Sequence, residues 1–211
     1  MKGVLRKEYY MLQRQWKSWL AVYLFLFLYG FLVKNWGMMT FCPVLLGINM
    51  SLAMFTYDNM SHWDNFVLTL PVTRKTIVSA RYITVFVLTF KGFMLGGILA
   101  VLTGWVNGDF DVSAFWGSMY GSAAFTLFAQ LCLIPVVYHL GPEKGRYAYM
   151  ILCVLPGALL FFAMFTGTLY PILAVMKRLL WLFAIVIPVF LILLGLVSWR
   201  WSVRIYEEKE F

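Results

Sequence analysis

Six apolar runs, each close to the length that crosses a bilayer, dominate this chain of 211 residues. They cover 19–33, 39–57, 82–104, 115–138, 147–169 and 179–199. About 20 apolar residues span the hydrocarbon core as a helix. Lipid offers backbone N–H and C=O groups no partner, so each run must close its own hydrogen bonds as a helix. A membrane β-barrel would alternate apolar with polar residues, and these runs do not. Charged residues make up only 12% of the chain. A soluble domain carries about 25%, so there is too little charge here to coat a water-facing surface. Tryptophans and tyrosines gather at the run ends, as in interfacial belts.

Ahead of the first run, Leu5, Tyr9, Leu12 and Trp16 fall at helical spacing among Arg6, Lys7, Gln13, Arg14 and Lys17. That pattern predicts an amphipathic helix over 1–18 lying at the membrane surface, or a solvated lead-in to the first span. This stretch is long and charged, and no small-residue cleavage site follows the first run, so it does not read as a cleavable signal peptide. Cys42, Cys132 and Cys153 lie inside apolar runs without metal-ligand spacing and read as small buried hydrophobes.

The net charge of +8 is placed in a way that points to a membrane surface rather than to nucleic acid. Thirteen of the 17 basic residues fall on one side of the bilayer: five before the first span, three in the second connection, two in the fourth and three after the last span. The opposite side holds Lys34, Lys177 and Arg178, while Lys91 lies inside a run. The positive-inside rule therefore places both termini in the cytoplasm and the connection carrying Asp109 and Asp111 outside.

The longest cytoplasmic excursion is 58–81. Trp63, Phe66, Val67 and Leu70 suit a short amphipathic helix, with Asp58, His62, Asp64 and Asn65 on its other surface. Pro71 ends it. Thr73 suits the N-cap of the next helix, with Arg74 and Lys75 at the membrane surface.

The six runs, together with Asp58, Trp63-Asp64, Leu70-Pro71-Val72-Thr73-Arg74-Lys75, Ile77-Val78, Arg81-Tyr82 and the closing Tyr206 to Phe211, give the chain a family likeness. It resembles the permease subunits of type 2 ATP-binding-cassette (ABC) exporters. In particular it resembles the small six-span group of Gram-positive bacteria that includes exporters of amphipathic peptides. Many members carry a second acidic residue where this chain has Asn59. The resemblance implies an all-α integral membrane protein. Its parts would be the interfacial helix over 1–18, spans one and two over 19–57, a coupling segment over 58–81, spans three to six over 82–199 and a cytoplasmic tail over 200–211. It also implies that the coupling helix docks a separate ATPase subunit, through Asp58, His62, Trp63, Asp64, Phe66, Arg74 and Lys75. Two permease subunits, identical or related, would pair in the bacterial cytoplasmic membrane above two ATPases that bind ATP and Mg.

Lys91, ten residues beyond Arg81, falls roughly 15 Å into the membrane. It is a candidate for the transport path, or for a bond to backbone carbonyls. Ser118, Ser122, Thr126 and Gln130 recur at intervals of four and either line a path or hold neighbouring helices. Gly92 with Gly96, and Gly117 with Gly121, suit close helix packing. The chain has no GxxxxGK[ST] loop for a nucleotide, no HExxH, and no histidine placed to serve a Ser118 nucleophile, so no catalytic role is expected and no cofactor is expected in this chain. Two other classes remain open: the substrate-capturing membrane subunit of a vitamin or metal importer, and a membrane assembly or immunity protein without transport. The cargo is not legible here; the resemblance favours peptides.

Overall fold

A computed structural model describes residues 2–33, 36–108, 110–165 and 180–209. Lys34, Asp109, Lys177, Arg178, Glu210, Phe211 and the end of the fifth run lie outside the described residues, as do the side chains of Leu5, Arg14, Trp16, Cys42 and Cys153. All regular structure among the described residues is helical: α1 (Lys2–Val33), α2 (Gly37–Met60), α3 (Trp63–Val67), α4 (Arg74–Asn107), α5 (Val112–Phe165) and α6 (Leu180–Glu208).

Three segments are long and apolar enough to cross a bilayer: Arg74–Asn107, Val112–Leu152 and Ala184–Glu208; Leu20–Leu32 is a shorter apolar stretch. The expected surface helix and first span are not separate elements. α1 is one 32-residue helix, about 48 Å long, because nothing between Trp16 and Leu20 breaks helical geometry. The expected tail is likewise helical as far as Glu208 and completes α6.

α5 is a bent helix. Gly141 takes φ 84°, ψ 167°, a region open to glycine alone. A Cβ on Gly145 would meet Val137 at 2.6 Å, so the arms 112–140 and 142–165 fold back on each other there. The other reversal opens on Asp111. Its carboxylate accepts the N–H of Ser113 at 2.8 Å and its hydroxyl at 2.9 Å, capping the first turn of α5.

One core joins α2, α4, α5 and α6 through Ile48, Phe55, Val78, Ile134, Val137 and Tyr206. A smaller one closes the opposite end, where Trp36, Phe110 and Phe115 meet with ring centroids 5.4–6.4 Å apart. Between the two, Thr89 on α4 donates to Gln130 on α5 at 2.6 Å, and Gly47 on α2 leaves room for the Gln130 amide, which a Cβ there would meet at 3.2 Å. Gly92 and Gly96 are buried in the bundle, whereas Gly117 and Gly121 face open space.

Candidate functional site

The sharp turn between α2 and α4 is built by local rules. Ser61 and His62 donate their N–H groups to Tyr57 and Asn59 and end α2. His62 stands at φ 49°, left-handed backbone that turns the chain into α3. After Pro71, Thr73 is extended at ψ 148° and its hydroxyl accepts the N–H of Thr76 at 3.3 Å, the N-cap of α4.

The back of this turn is fixed by charge. Arg81 of α4 lies between two carboxylates, 3.0 Å from Glu8 of α1 and bonded also to Asp58 of α2. Lys7 bonds Asp58 as well and stands 3.6 Å from Glu8. The Lys7 ammonium lies 4.4 Å from the centre of the Trp63 ring, and the Arg81 guanidinium 4.7 Å from that of Phe55. Four charges thus neutralise one another around a cavity of about 60 Å³ whose lining includes Glu8, Asp58 and Arg81. Burial pushes the Lys7 ammonium down to about 8; Glu8 opposes that shift and Arg81 adds to it.

α6 fastens the other flank. The Tyr206 hydroxyl donates to Asp64 at 3.0 Å. Arg74 donates to the carbonyls of Tyr206 at 3.1 Å and Lys209 at 3.4 Å, and to that of Glu207, satisfying the open end of α6 with a cation. Trp199 donates its indole N–H to Ser79 at 3.0 Å, and Tyr82 shares its hydroxyl with Ser198 and Ser202.

The residues expected to dock a partner therefore divide into two sets. Asp58, at 5% exposure, Asp64 and Arg74 are bound to this chain's own groups, and Trp63 is half-buried against Lys7. His62, Phe66 and Lys75 stand outward. The apolar side of α3 does not all turn inward: Val67 is fully buried, but Phe66 is 57% exposed beside exposed Met60 and Leu70. Ser122 and Gln130 are buried and Ser118 half-buried, and both serines bond carbonyls of their own helix. Lys91 lies exposed on the outer face of α4.

Sequence reasoning missed Glu8. Its signal was present: it is the only acidic residue before Asp58, inside an otherwise basic helix. In the sequence Tyr206 belongs to the closing tail; its helical register relative to Tyr82 and Asp64 becomes visible only once α6 is packed.

These features define a helical membrane protein in which the start of α1, the end of α6, the α2–α4 turn and the Gly141 bend meet at one charged pole. A family model described as "ABC-2 family transporter protein" matches residues 3–207, nearly the whole chain, and the protein belongs to that family as the membrane permease component of an ABC transporter. Neither the curated proteins nor the solved structures yield a match.

Proposed function

We propose that this chain is the permease of an ATP-driven exporter, that its charged pole faces the cytoplasm, and that α3 with its flanking turns is the handle gripped by a separate ATPase. The observation that carries this reading is the division of the turn. Its back is held by α1, α4 and α6, while His62, Asn65, Phe66 and Leu70 are exposed, Phe66 resting one side of its ring on Trp63 at 5.7 Å between centroids. A push on such a segment passes into three helices at once, which a loose surface loop could not transmit. Aromatic side chains on a rigid mount are the usual anchors of an interface.

A second permease subunit completes the path in this account, and the cargo is an amphipathic peptide or another hydrophobic compound. The positive-inside count supports the orientation, and the family's ATP-driven transport supports the partner.

Capture of the cognate ATPase on immobilised permease tests the handle. Phe66→Ala abolishes capture while lowering the permease's melting temperature less than Trp63→Ala does, because more than half of the ring is exposed and its ring contact is with Trp63. Trp63→Ala abolishes capture and also lowers that temperature. Capture undiminished by Phe66→Ala removes Phe66 as an anchor. Direction is read in inside-out vesicles, which should accumulate a fluorescent amphipathic peptide only with ATP present.

A further inference from the structure

α1 and α4 run side by side and parallel, joined at the charged pole by Glu8 and Arg81. Higher up, an apolar groove of about 340 Å³ opens between them, walled by Leu20, Leu24 and Phe27 of α1 and Leu95, Ile98 and Leu99 of α4. Below its lining residues each helix carries one lysine, Lys17 on α1 and Lys91 on α4. Lys17 precedes Leu20 by three positions and Leu24 by seven, and Lys91 precedes Leu95 by four and Ile98 by seven. Those intervals put each lysine on the groove side of its helix. Lys17 lies nine residues above Glu8 and Lys91 ten above Arg81, so both stand about 14–15 Å from the ion-pair cluster, at one level.

Both lysines are exposed, and neither forms an ion pair or hydrogen bond with a described residue. No acidic residue occurs between Glu8 and Asp58, or between Asp64 and Asp109. Neither helix therefore supplies a counter-charge at this level, and a second copy packed alongside would bring none. Counting depth from the exposed Trp105 rather than from Arg81, which is buried in the ion-pair cluster, moves this level off the bilayer middle toward the α3 side. Lys91 lies fourteen residues below the exposed Trp105 of the opposite pole, about 21 Å of a hydrocarbon core about 30 Å thick. The flexible stem of a lysine lets the ammonium reach the headgroup region from there.

We propose that this groove seats an acyl chain of an anionic phospholipid from the leaflet on the α3 side, its phosphate held between Lys17 and Lys91. The apolar wall excludes a hydrated anion alone, and the paired ammonium groups discriminate against a zwitterionic headgroup. The assignment requires only that the chain spans a bilayer; it stands apart from the direction of transport and from the docking role of α3.

The test uses the purified permease in bilayers containing spin-labelled phosphatidylglycerol or spin-labelled phosphatidylcholine, with protein-bound label measured by electron paramagnetic resonance. Wild type binds phosphatidylglycerol preferentially. Lys17→Gln and Lys91→Gln each reduce the preference about fivefold, and the double Lys→Arg variant retains it. Leu24→Trp with Ile98→Trp fills the groove and lowers binding of both lipids, distinguishing a seated chain from headgroup attraction alone. Soluble glycerol phosphate, having no chain, fails to displace the label. A double Lys→Gln variant with the full preference overturns the proposal. So does a wild type without preference, the result expected if another protein surface covers the groove, or displacement by glycerol phosphate.

Discussion

Arg81 is the residue on which the charged pole turns. It contacts two carboxylates from two other helices, and all three side chains are buried. Removing one member of such a cluster leaves an uncompensated buried charge, which costs about 3–5 kcal/mol. Arg81→Met should therefore lower the permease's unfolding free energy by that order, and adding Glu8→Gln should recover part of the loss. Additive effects in this pair would show that the contact contributes nothing. Lys7 gives a pH signature. Its folded value of about 8 lies below the ordinary 10.5 because burial disfavours the charge. Between those values the folded chain binds fewer protons than the unfolded one, so the contribution of Lys7 to stability rises with pH across that window. Below about 8 the unfavourable burial of the charge is felt in full. The melting temperature of wild type relative to Lys7→Met should climb from pH 7.5 to 10, and a flat difference would contradict the assignment. None of this network could be read from spacing, since Lys7 and Glu8 meet Asp58 and Arg81 only after three helices pack.

The helices themselves were largely legible. Apolar runs without alternation dictate them, and Pro71, Thr73 and Asp111 mark where chain segments stop or start. Boundaries were less so, because hydropathy changes where helical geometry does not. α1 passes unbroken from its basic half to its apolar half, and α6 runs through Trp199 into charged sequence as far as Glu208. The short α3 shows a second limit: four apolar positions predicted one inward face, yet Phe66 and Leu70 turn out while Val67 turns in, because α3 is only five residues long. Gly141 carries the sharpest constraint at this scale. Gly141→Ala places a Cβ on glycine-only backbone and should cost about 1–3 kcal/mol, read as a drop in unfolding free energy. No drop would mean that the α5 hairpin is made elsewhere.

At the scale of the whole molecule, one pole concentrates the ion pairs, and the other closes on the rings of Trp36, Phe110 and Phe115. The basic-residue count grouped the N-terminal segment, the second and fourth connections and the C-terminal end on one side. In the fold Lys7, Asp64, Gly141 and Lys209 do gather at one pole. The most direct measurement places a single cysteine at position 66 in a cysteine-free background, in membranes containing the cognate ATPase. Labelling by a membrane-impermeant maleimide is expected only in inside-out vesicles, together with a crosslink from that cysteine to the ATPase. Labelling from the outer face of intact cells, or no crosslink while the ATPase remains bound, would contradict the docking role of α3.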